Sequence, residues 1–145
     1  MVVYADTSFL FSLYTHDANS AKAQATGLTL KMPIAFTLLQ QHELRNALRL
    51  AVFRGEMSAS QSRAVLSLIE EDIQTGVLSE KAVAWTEAYA LAETLSRTHT
   101  PQLGCRASDI LHVAIANTLK IKTFYTFDLR QRNLATKAGM EVLPS

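Results

Sequence analysis

Two short apolar runs, Val2–Ala5 and Thr123–Phe127, each stop on an aspartate that heads a helical stretch. This feature constrains the fold more than any other. The runs are rich in β-branched and aromatic side chains and are nearly continuous, as in strands covered on both faces. Ile34-Ala35-Phe36, opened by Pro33, reads as another strand, and Glu141-Val142-Leu143 as a last one. Helical stretches fill the intervals. One begins near Phe9 after the cap Asp6-Thr7-Ser8, and a second follows Asp17 toward Lys31. Thr37 caps a third, whose apolar stripe is Leu39, Leu44, Ala47, Leu48, Ala51 and Val52 and whose stop is Gly55. Ser58 with Gln61 makes a capping box for a fourth, ending near Gly76.

Val77-Leu78 and Val83-Ala84-Trp85 are ambiguous, and either can be an edge strand. A fifth helix is expected from about Glu87 to Arg97. Thr98 to Cys105, with Pro101 and Gly104, reads as a loop. Ser108 is expected to cap a sixth helix from Asp109 to about Leu119, and a last helix runs from Leu129 to Lys137, stopping at Gly139. Strands alternating with helices predict an α/β fold with a parallel sheet covered on both faces. A chain of 145 residues, 48% hydrophobic and free of repeats or linkers, predicts a single domain over 1–145. No secretory signal and no membrane-length apolar stretch is present, and Cys105 is the only cysteine. A multi-thiolate zinc site and an intrachain disulfide are thereby excluded, and a cytoplasmic protein is expected.

Four acids fall where such folds place their sites. Asp6 and Asp128 directly follow strands, Asp109 lies in the first turn of a helix, and Glu43 lies about six residues into another. One helical turn rises about 5.4 Å, so the longer glutamate can reach the same sheet edge. Four carboxylates gathered there repel one another unless a cation joins them, and all-oxygen ligands suit Mg²⁺ or Mn²⁺. Taken singly, each acid is better explained as a helix cap, a dipole partner or a solvated residue; taken jointly, those explanations weaken because the positions share one edge. Thr7 and Thr126 carry hydroxyls beside the acids and can orient a carboxylate.

The formal net charge is only +1. With four carboxylates neutralised, nine acids remain against 14 bases, a surplus of five. The bases concentrate late: from Arg97 onward there are seven against three acids. Arg106, Arg130 and Arg132 flank Asp109 and Asp128, and guanidinium groups suit phosphate contacts. His112 reads as a packed helix residue rather than a base. The apolar content of the fourth helix and the end of the third predicts a surface buried by a dimer partner or another protein.

Four strings then carry a resemblance. Val3-Tyr4-Ala5-Asp6-Thr7-Ser8, Glu43-Leu44-Arg45-Asn46-Ala47-Leu48, Arg106-Ala107-Ser108-Asp109-Ile110-Leu111-His112-Val113-Ala114 and Thr126-Phe127-Asp128-Leu129-Arg130-Gln131 resemble, in order, the four acidic motifs of PIN domains. Gly139 to Pro144 is similar to their C-terminal strand. The short length resembles VapC-type toxins. The resemblance implies a three-layer α/β/α fold with a parallel sheet of four or five strands. It implies metal-dependent cleavage of RNA to 5′-phosphate and 3′-hydroxyl ends, with Asp6, Glu43, Asp109 and Asp128 holding Mg²⁺ or Mn²⁺. Thr126 would assist, and Arg106, Arg130 and Arg132 would contact RNA. A homodimer and a cognate antitoxin are implied as partners. The stretch Thr98 to Gly104 departs from the pattern, being longer than the family's minimal loop.

Two other classes compete. A haloacid-dehalogenase-type phosphatase would want a second aspartate two residues after Asp6, where Ser8 stands, and a receiver domain would want an adjacent acid pair. A catalytically silent PIN-fold module that binds RNA or protein would be expected to lose one or more acids; all four are present.

Overall fold

The computed structural model describes residues 1–145. In chain order its elements are β1 (Tyr4–Ala5), α1 (Thr7–Tyr14), α2 (Ser20–Thr29), β2 (Ile34–Phe36), α3 (Leu38–Phe53) and α4 (Ala59–Thr75). Then come β3 (Leu78–Glu80), α5 (Trp85–Leu103), α6 (Ala107–Thr118), β4 (Thr123–Tyr125), α7 (Leu129–Lys137) and β5 (Glu141–Leu143). The chain divides into two compact units. The first comprises Met1, Val3–Asp6 and Ala82–Ser145; the second comprises Val2 and Thr7–Lys81.

In the first unit, β1, β4 and β5 form a parallel sheet in the order β1-β4-β5, with Tyr4 opposite Phe124 and Phe124 opposite Val142. β1 therefore lies beside a strand almost the whole chain away. Val3, Tyr4, Ala5, Phe124 and Leu134 are fully buried, and Tyr4 stacks on Phe124 with ring centroids 5.3 Å apart. α6 is buried along nearly its whole length, from Asp109 to Ala116. Its alternation of Ala114 and Ala116 with Val113 and Ile115 lets it pack on several sides, and α5 and α7 lie against it.

In the second unit, β2 and β3 pair in parallel, Ile34 opposite Leu78. Every strand pair is thus parallel, as expected of the fold class, but the pairs form two ladders of three and two strands. Leu10, Phe36, Leu44, Leu48 and Ile69 form the core of this unit. Both caps read from sequence are present: Ser58 with Gln61 makes the expected box at α4, and Thr37 caps α3, where the structure adds a reciprocal bond with Gln40. Gly76 ends α4 in the left-handed region at φ 83°.

Three expectations are corrected. α5 does not stop at Arg97 but runs to Leu103 through Pro101, so Thr98 to Leu103 is helix rather than loop. A proline this near the end costs one backbone hydrogen bond, and the helix still closes with Gly104 N–H on the Thr100 carbonyl at 2.9 Å. α6 begins at Ala107, so Arg106 and not Ser108 occupies the N-cap position, without a side-chain capping bond. β4 ends at Tyr125, two residues short of the run read from sequence; the Thr126 N–H still reaches the Leu143 carbonyl of β5, but its side chain turns to the site described below. Between the two ambiguous pieces the structure decides for Val77-Leu78: β3 starts at Leu78, whereas Val83-Ala84-Trp85 leads into α5.

Candidate functional site

In the first unit the backbone N–H of Asp6 donates to the Tyr125 carbonyl at 3.1 Å. This fixes the aspartate at the carboxyl end of β1, beside the end of β4. Asp6 is 2% exposed, and the Thr126 hydroxyl donates to its Oδ2 at 2.5 Å. The same hydroxyl oxygen accepts from the Asp128 N–H at 3.0 Å. Thr126 is fully buried, so one side chain ties two of the acids together where water cannot substitute for it.

Asp128 is the N-cap of α7, its Oδ1 accepting from Gln131 N–H at 2.9 Å. Gln131, also buried, donates from Nε2 to the Asp109 backbone carbonyl at 3.1 Å. One glutamine thus joins the start of α7 to the first turn of α6. Nothing in the sequence pointed to Gln131 except its place three residues after a capping aspartate.

Arg106 spans the remaining gap. Its Nε–H donates to Asp109 Oδ2 at 2.9 Å and Nη2 to Asp109 Oδ1 at 3.5 Å, while Nη2 also lies 3.5 Å from Asp128 Oδ2. The Asp109 hydrogen bond and charge, then the charges of Asp128 and Asp6, hold the Arg106 guanidinium more firmly protonated than usual. Behind α6, Tyr4 Oη and His112 Nδ1 are 2.7 Å apart and buried, so His112 is a packing residue that ties the helix to β1.

In the second unit, Glu43 sits half-buried on α3, and the Thr7 hydroxyl donates to its Oε1 at 2.8 Å. Thr7 is the residue after Asp6 in the chain and orients a carboxylate, as its position suggested.

The structure gives the three arginines different places. Arg106 is among the acids. Arg130 is exposed in the first turn of α7. Arg132 donates to the Thr126 carbonyl at 3.2 Å, the Val142 carbonyl at 3.3 Å and, in a close contact, the Pro144 carbonyl. Its donors fasten α7 to the ends of β4 and β5.

The donor set, carboxylates and a threonine hydroxyl, fits a hard divalent cation. The side chains as they stand do not bring three acids, histidines or cysteines around one point. The positive charge between Asp109 and Asp128 is instead the Arg106 guanidinium, standing where a cation is called for.

The second unit also contains an apolar cavity of about 680 Å³ walled by Leu13, Tyr14, Leu28, Met32, Leu68 and Val77. Phe53 and Leu28 are 86% and 89% exposed, and Leu50 and Leu68 are partly exposed. Part of the apolar surface expected on α4 and the end of α3 is therefore uncovered. Tyr14 at the cavity wall donates to Asp72 Oδ2 at 2.5 Å; burial first, then that carboxylate, pushes its phenol pKa far up. No helix is long and apolar enough to cross a membrane.

No curated protein sequence matches the chain. Among solved structures it is similar to VapC20 of Mycobacterium tuberculosis, described as a toxin cleaving the sarcin–ricin loop, with a TM-score of 0.69 at 18% identity, covering 98% of this chain and 99% of that one. It is also similar to FitAcB of Neisseria gonorrhoeae (TM-score 0.63, 14% identity, covering 99% and 97%). VapBC2 of Rickettsia felis, solved with a DNA fragment from its promoter, aligns with a TM-score of 0.63 at 15% identity, covering 99% and 98%. At these identities the likeness is one of fold. The PIN-domain family model matches residues 3–137, a span that includes Asp6, Glu43, Asp109 and Asp128, and the chain belongs to the PIN-domain family.

Proposed function

We propose that the chain is a metal-dependent endoribonuclease, a VapC-type toxin hydrolysing RNA phosphodiesters to 5′-phosphate and 3′-hydroxyl ends. The observation that carries this reading is the buried chain of contacts Asp6–Thr126–Asp128, with Arg106 on Asp109 beside it, at the carboxyl ends of parallel strands. It brings Asp109 and Asp128 close to one guanidinium while both are mostly withdrawn from water, an arrangement that favours a bound cation. Asp6, Asp109 and Asp128 are proposed as ligands of Mg²⁺ or Mn²⁺, joined by Glu43, whose carboxylate is held by the residue that follows Asp6. When bound, such an ion supplies a polarised phosphate and a water of lowered pKa.

The protein's own residues do the rest. Thr126 fixes the Asp6 carboxylate through its Oδ2. Gln131 holds the first turn of α6 so that Asp109 keeps its place. Arg130 and Arg106 take phosphate oxygens of single-stranded or structured RNA, and Arg132 keeps α7 docked while they do so. A cognate antitoxin belongs to the same reading, supported by the uncovered apolar side chains Phe53, Leu28 and Leu68 and by the likeness to FitAcB and VapBC2; a homodimer and a cytoplasmic setting are proposed with it.

The test is RNA cleavage with Mn²⁺ or Mg²⁺ and with EDTA, followed by analysis of the product ends. Cleavage is expected with metal only, with loss in Asp6→Asn and Asp109→Asn. If both variants cut as well as the native protein, the assignment fails. The grip of Arg106 on two acids favours one other reading, a silent RNA-binding module, which RNA binding without cleavage in Mn²⁺ would select.

A further inference from the structure

Arg106 occupies the N-cap position of α6, where the helix dipole disfavours positive charge. Its place is therefore not explained by the helix. It is explained by the carboxylates: a two-pronged contact with Asp109 and a longer one with Asp128. The side chain is 64% exposed, whereas Asp109 is 11% and Asp128 33% exposed. A largely solvated cation thus leans onto acids that are mostly withdrawn from water. It neutralises them as a bound ion would, and it can leave by side-chain rotation alone.

We propose that Arg106 is an exchangeable counter-cation, seated on Asp109 and Asp128 when no divalent ion is bound and displaced from them when one binds. The inference rests on the reading of these acids as a metal site. Ion loading and release of Arg106 are then one event. The freed guanidinium, with five donors, becomes available to a phosphate only at a loaded site. The metal-free protein is spared the repulsion that bare carboxylates would impose.

Mn²⁺ binding measured by calorimetry on the native protein, Arg106→Lys and Arg106→Ala tests this. Lysine keeps the charge but lacks the planar fork. Competition predicts that Arg106→Ala binds Mn²⁺ about tenfold more tightly, as loss of a partly exposed charged contact implies. Arg106→Lys should be intermediate. The Arg106 Nε–H resonance of the native protein should move as Mg²⁺ saturates it. Equal affinities in all three proteins overturn the proposal, as does an Arg106→Lys indistinguishable from native, which would reduce the effect to long-range charge. Equal but measurable affinities leave the metal site standing, whereas no Mn²⁺ binding by any of the three removes both.

Discussion

Thr126 illustrates how much one buried hydroxyl can determine. It donates to Asp6 and accepts from the Asp128 N–H. Thr126→Val keeps the shape and strands both partners, so a loss of about 1–3 kcal/mol is expected in urea denaturation, with reduced cleavage. Thr126→Ser should recover most of both. Asp109→Asn is expected to lower the melting temperature of the metal-free protein, because it weakens the seat of Arg106 rather than relieving repulsion. Of the candidate site residues, the aspartates and Thr126 were legible because strand ends and helix starts mark them. Arg106 and Arg132 were not separable in the sequence. Both are arginines beside an acidic motif, and only folding shows that one faces carboxylates and the other backbone carbonyls. Arg132→Ala should therefore cost stability, and Arg130→Ala should instead lower the salt dependence of RNA binding by a slope of about 0.7, read from affinities at several salt concentrations.

Element boundaries set by local chemistry were read well. α4 begins at its Ser58–Gln61 box and ends at Gly76, and α7 has the limits that Asp128 and Gly139 imply. Boundaries set by packing were not. The proline and glycine near the end of α5 looked like one loop signal, yet only Gly104 is a stop; it lies in the left-handed region at φ 65° with open space around its Cβ position. Gly104→Ala should then cost about 1 kcal/mol in backbone strain alone, measurable by thermal melting. Tyr14, the last residue of α1, bonds to Asp72 of α4, and burial raises its pKa above that of a free phenol. The folded state then holds this proton more tightly than the unfolded state. The stabilisation is complete below about pH 10 and declines as pH rises beyond it. Denaturant titrations at pH 9 and 11 should show that slope, and Tyr14→Phe should flatten it.

The fold class followed from alternation of strands and helices, and the family from the acidic motifs. The partition into two ladders was hidden, because a two- or three-residue strand carries no record of which neighbour it will choose. The two units also differ in how the chain supplies them. Apart from Val2, the second is drawn from one unbroken stretch, Thr7–Lys81. The first joins the opening residues to Ala82–Ser145, and Asp6 waits for a threonine 120 positions later. Contacts so distant along the chain form late. A polypeptide still emerging from the ribosome can shape α1 to α4 while its opening strand has nothing to pair with. Proteolysis of stalled nascent chains should find Thr7–Lys81 protected well before β1. For a chain proposed to attack RNA, the order of synthesis itself withholds the weapon until β4 has been made.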